Sequence, residues 1–69
     1  MLINEIKALI GKNVNIHLKD NSVIINVKVE KITTKEDKGN RKFLEYSYKG
    51  KKELIELKRI AWLDEVFIP

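Results

Sequence analysis

Lys38, Asn40, Arg41 and Lys42, with Phe43 directly after them, and a second cationic pair at Lys58-Arg59, are the residues of this sequence best suited to chemical recognition. Lysine and arginine neutralise phosphates, arginine through a planar fork of donors, and an aromatic ring offers an unstacked base a face to lie on. From Lys38 to Lys52 there are six basic residues against one acid, Glu45, a local charge of +5, while the rest of the chain is close to balanced. Over all 69 residues, 14 Lys+Arg stand against 10 Asp+Glu, a net +4 with a pI near 9.4. That balance favours anionic partners without amounting to a polybasic arm. The competing reading is that the lysines only keep a small domain soluble.

Catalytic chemistry finds less support. General acid-base or nucleophilic catalysis needs paired groups of tuned proton affinity, or a nucleophile beside a base. The single histidine, His17, falls on the polar side of an alternating segment between Asn15 and Lys19, where a surface or interface role is expected. One histidine without a cysteine does not make a zinc site, so neither a metal nor a cofactor is expected. Glu53-Glu56 and Asp64-Glu65 read as solvated charges, and glycines 11, 39 and 50 are too isolated to form a phosphate-cradling loop. A non-enzymatic binding module is the expectation.

The elements that must carry these residues follow from periodicity. Leu2, Ile3, Ile6, Leu9 and Ile10 form one apolar stripe of a short helix over about residues 2 to 10, closed by Gly11. A helix this short is unstable alone and needs a surface to pack on. In "NVNIHL" Val14, Ile16 and Leu18 alternate with polar residues, the mark of a strand with one wet face. Past a turn at Asp20-Asn21-Ser22, Val23, Ile25, Val27 and Val29 continue the buried set, which leaves Ile24 as an apolar residue on the wet face and a candidate interface residue. Lys31 then takes an inward position and Ile32 restores apolarity one residue late, as at a β-bulge.

Residues 33 to 42, "TTKEDKGNRK", have no apolar side chain and read as a loop or hairpin tip. "FLEYSY" is a third strand with Leu44, Tyr46 and Tyr48 on one face and Phe43 on the other. The two tyrosines suit either the core, with hydroxyls at its rim, or base stacking; in the first case Phe43 is the better stacking candidate. Lys49-Gly50-Lys51 is a turn, and "KELIEL" begins a fourth strand. Residues 53 to 68 have no proline and can also be read as a helix, but a face through Leu57, Ile60, Ala61 and Phe67 takes in Asp64 and leaves Leu54, Trp62, Leu63 and Val66 elsewhere. Two short strands broken near Lys58-Arg59-Ile60 leave fewer apolar residues stranded. Trp62 is expected in the core or at a subunit interface.

The whole chain, residues 1 to 69, thus reads as a single domain of mainly β class: a five-stranded SH3-like barrel, its strands within about residues 13 to 69, covered by an N-terminal α-helix. "GKNVNIHLKDNS", residues 11 to 22, where a strand follows a helix and ends in Leu18-Lys19-Asp20, resembles the opening pattern of the Sm-like family, the small barrels that assemble into RNA-binding rings. The sequence departs from that pattern in having Ile25, Asn26 or Val27 where a mid-strand glycine is usual, Asn40-Arg41-Lys42-Phe43 at the entry to the third strand, and Leu57-Lys58-Arg59-Ile60 before the last. The resemblance implies that the connections after the second and fourth strands approach one face. Those connections hold Lys38, Asn40, Arg41, Lys42, Lys58 and Arg59.

RNA or single-stranded nucleic acid is therefore the expected ligand, and a protein partner the alternative. A chain of this size buries only about 60% of its unfolded surface. With no cysteine to staple it, self-association is expected as well. No apolar run approaches the roughly 20 residues of a membrane span, and "MLINEIKALIGKN", with Glu5 and no basic residue ahead of its apolar positions, does not read as a signal peptide. A soluble cytoplasmic protein without membrane attachment is expected.

Overall fold

The computed structural model describes residues 2–36 and 39–67. A helix, α1 (Leu2–Leu9), precedes five strands: β1 (Asn13–Leu18), β2 (Val23–Lys35), β3 (Arg41–Tyr48), β4 (Lys51–Glu56) and β5 (Ile60–Glu65), with a 3₁₀ turn at Leu57–Arg59 between the last two. All pairings are antiparallel and the strand order is β4-β3-β2-β1-β5. The mainly β architecture with an N-terminal helix is as the sequence indicates. The ladder is an open sheet, with β4 and β5 as its two edges. Among the described residues no helix is long and apolar enough to cross a membrane.

The core is apolar throughout: Ile6 from α1, Val14, Ile16 and Leu18 from β1, Val27 and Val29 from β2, then Leu44, Ile55 and Ile60. The stripe of α1 lands on the sheet through Ile6, with Leu2 and Leu9 packed around it, while Ile10 lies past the helix end and is exposed. Gly11 ends the helix in the left-handed conformation expected of it, φ +85°, and its N–H donates to the Val29 carbonyl at 2.8 Å. Val29 N–H returns a bond to the Lys12 carbonyl at 3.0 Å. The helix exit is thereby locked to β2.

Three irregularities decide which side chains face the core. The bulge expected beyond Val29 is present: Val29 pairs with Tyr46 and Lys31 with Glu45, so Glu30 is extra, and Ile32 returns inward opposite Leu44. A second bulge was not expected. Val14 pairs with Val27 and Ile16 with Ile24, so Asn15 faces both Ile25 and Asn26. Asn26 sits at φ +55°, its N–H bonded to Asn15 Oδ1 at 3.0 Å and its Oδ1 accepting from Asn13 Nδ2 at 3.0 Å. Asparagine tolerates that conformation because its short polar side chain bonds locally. The reading of Ile24 as a wet-face residue is corrected by this bulge: Ile24 is half-buried and packed on the core, and Ile25 is the outward residue, 66% exposed. The third irregularity, at Ala61, lies between the pairs His17 with Trp62 and Leu18 with Ile60.

The reading of residues 33 to 42 as a loop is also corrected. Thr33, Thr34 and Lys35 pair with Phe43, Lys42 and Arg41, so the β2–β3 ladder runs on through most of that segment. Both faces of its outer part meet water, and a strand there needs no apolar alternation, only ladder hydrogen bonds. The ambiguous C-terminal segment is two strands and a turn, as counting favoured.

Candidate functional site

The β2–β3 hairpin brings the start of β3, at its outer end, against the turn between β4 and β5. Asn40, Arg41 and Lys42 from the hairpin, and Glu56, Leu57 and Lys58 from the other segment, line one open cleft of about 430 Å³, floored by Leu2 and Ile3 of α1. Two basic segments distant in sequence thus meet, as anticipated. Among the described residues that line it, Arg41, Lys42 and Lys58 face one carboxylate, Glu56. Lys38 lies outside the described residues.

Glu56 organises this cleft. It stands directly opposite Phe43 in the β3–β4 register, and its carboxylate takes Arg41 Nε and Nη2, each at 3.4 Å, with Lys58 Nζ at 3.7 Å. Good charge-assisted bonds run about 2.7–2.9 Å. These contacts are long, so an incoming phosphate competes with a weak internal partner. The Glu56 side chain is 15% exposed, against 43% for Arg41 and 76% for Lys58, which leaves the cations reachable. Phe43 carries the Arg41 guanidinium over its ring at 5.1 Å and Lys35 Nζ at 5.3 Å. Its ring is therefore first a platform for two cations, and a base stacking there has to displace one of them. Lys42 Nζ reaches Thr34 Oγ1 at 3.4 Å.

Arg59, grouped with Lys58 by sequence, turns away from this cleft. It lines a neighbouring one with Leu18, Lys19, Asp20 and Lys58, and its carbonyl accepts from the Lys19 N–H at 2.9 Å. Asp20 accepts from Ser22 N–H at 3.0 Å and from Ser22 Oγ at 2.5 Å. The Ser22 hydroxyl, then its amide, hold the Asp20 carboxyl below its ordinary value of 3.8, and the Arg59 charge adds to the effect.

Of the aromatic candidates, Tyr46 packs on the core; burial, then the Glu53 charge, push its hydroxyl above its ordinary pKa of 10.0. Tyr48 is exposed, with Lys49 Nζ over its ring at 5.2 Å. Trp62 is half-exposed and lies flat on His17, centroids 3.6 Å apart and planes 4° from parallel, while His17 Nε2 meets Asp64 Oδ2 at 3.2 Å. Trp62 is thus outside the core, on the outer face of β1 and β5. A separate apolar groove runs between Val23, Ile24, Ile25, Tyr46, Tyr48 and Glu53.

Glu56 and Lys19 are the site residues that sequence reasoning missed. The sequence presents Glu56 as a solvated charge and Lys19 only as a residue on the polar side of β1 and in the Leu18-Lys19-Asp20 turn. The two-residue turn at Lys49-Gly50, with φ +50° and +80°, fixes the hairpin register, and counting outward from it sets Glu56 opposite Phe43. That signal was in the sequence. The approach of Lys19 to Arg59 depends on the Ala61 irregularity, which has no such signature. Compared with family models, curated proteins and solved structures, the chain matches none.

Proposed function

We propose that this protein is a non-enzymatic module that binds RNA or single-stranded nucleic acid through the cleft between the β2–β3 hairpin and the Leu57–Arg59 turn, and that it does so as a self-associated small barrel of Sm-like type. One observation carries the reading: Asn40, Arg41, Lys42 and Lys58 line a single cleft in which, among the described residues, Glu56 is the one acid. Such a site holds a phosphate by charge and by the arginine fork, and offers Leu2 and Ile3 as an aliphatic wall against a sugar or base, with the Phe43 ring beneath the Arg41 guanidinium close by. Single strands suit it better than duplex, because the cleft is short and open while the nearby polar and aromatic groups can reach unpaired bases.

The test is fluorescence anisotropy with a labelled oligouridylate at several salt concentrations. Binding should weaken with salt at a slope of about −0.7 per phosphate contact on a single strand. Changing Arg41, Lys42, Lys58 and Arg59 together to alanine should abolish binding and leave the circular dichroism spectrum intact. Unchanged affinity in that variant removes the proposed site.

A second reading is favoured by a different observation. Val23, Ile25 and Tyr48 are exposed around one apolar groove, and β4 and β5 are the edges of the sheet. A protein partner, or another copy of the chain, would cover this surface by apolar packing or edge pairing. Ile25→Asp tests this surface: it should break such association without unfolding the chain, and a variant whose assembly is unaltered removes the groove from any interface.

A further inference from the structure

Lys58 lines both basic clefts, and Arg59 and Lys19 belong only to the second. We propose that the two clefts are consecutive stations of one phosphate track that crosses the Leu57–Arg59 turn, so that the ligand is a linear chain carrying at least two phosphates and Lys19 is a binding residue. The proposal rests on the nucleic-acid reading of the first cleft and extends it.

The backbone geometry holds the second station in place. Lys19 N–H donates to the Arg59 carbonyl at 2.9 Å, Leu18 N–H to the Ser22 carbonyl at 2.9 Å, and Asn21 N–H to the Leu18 carbonyl at 3.1 Å. The β1–β2 turn and the 3₁₀ turn are thereby fastened side by side, with Lys19 and Arg59 as neighbours across the fastening. Both side chains are exposed, and among the described residues neither makes an ion pair. Asp20, the one acid at this station, has Oδ1 engaged by Ser22 through two hydrogen bonds. Three cations against that one acid leave the second cleft as positive as the first. Lys58, 76% exposed and paired with Glu56 only at 3.7 Å, lines both. A single phosphate fills one station. A strand passing over the turn reaches both.

The test compares a uridine dinucleotide with an oligouridylate of about a dozen nucleotides, a length within the range small barrels track. Lys19→Ala should weaken the long oligonucleotide several-fold and flatten its salt slope by about 0.7, the value of one lost phosphate contact. The same variant should bind the dinucleotide as the unmodified protein does, since the first cleft is untouched, whereas Lys42→Ala should weaken both ligands. If Lys19→Ala leaves affinity and slope for the long oligonucleotide unchanged while Lys42→Ala still weakens it, the track is wrong and the first cleft stands. If neither ligand binds the unmodified protein, both readings fall together.

Discussion

Glu56 is the side chain on which the behaviour of the first cleft turns. It occupies the place an anion would take, at distances too long for strong bonds. Glu56→Gln should therefore raise oligouridylate affinity several-fold by removing a competing charge, and change the urea midpoint little, because ion pairs of this exposure contribute about 0.2–1 kcal/mol. A fall in affinity would instead make Glu56 the residue that aims Arg41. Asp20 supplies a pH dependence with a definite sign. Its folded-state pKa is depressed, so its contribution to stability is present above the ordinary value of 3.8 and is lost as pH falls through the folded-state value. Ser22→Ala should destabilise the protein at neutral pH, and that difference should shrink in thermal melts taken below about pH 3.8. Asn26 matters for backbone reasons. Asn26→Val should cost about 1–2 kcal/mol, the strain of a left-handed residue with a Cβ branch, before the lost hydrogen bonds are counted.

At the scale of elements, α1 is the part most dependent on its neighbours. Its eight residues cannot hold a helix in isolation, and Ile6 is its one fully buried side chain. Ile6→Ala should cost about 2–5 kcal/mol in urea titration and release the floor of the first cleft, so that ligand affinity falls with stability. The strands show how far a sequence can be read. Alternation gave β1 correctly, because each of its inward residues meets the core without interruption. It misplaced the start of β2, because the bulge at Ile25–Asn26 exchanges the two faces and nothing in "VIINV" distinguishes Ile24 from Ile25 except an asparagine able to adopt positive φ. The later bulge was legible because Lys31 interrupts an apolar run. The outer β2–β3 ladder was illegible because apolar patterning reports contact with a core, and that ladder extends past it. The convergence of the two basic segments is an implication of the Sm-like resemblance and not of the residues' own pattern. The company they keep, Glu56 in one cleft and Lys19 in the other, needed the register.

For the molecule as a whole, the exposed apolar side chains and the two open edges bear on assembly. Light scattering at low and high salt should give a mass of several subunits that salt does not disperse, since the contacts would be apolar and backbone-mediated. Ile25→Asp should reduce that mass, and Ile24→Asp should unfold the chain instead, because Ile24 packs on the core. The span of the Leu57–Arg59 turn has a further geometric consequence. It joins β4 to β5, the opposite edges of a five-stranded sheet. In a flat sheet those edges would lie about 19 Å apart, four strand spacings of about 4.8 Å. Three residues drawn straight reach about 14 Å, and in a 3₁₀ turn, with about 2 Å of rise per residue, they reach less than about 10 Å. The sheet must roll until its edges approach at that end. Lys58 and Arg59 thus ride on the strap that sets the curvature of the whole molecule. Lengthening the strap by a few glycines would let the roll relax and draw the two stations apart, even with every cation kept.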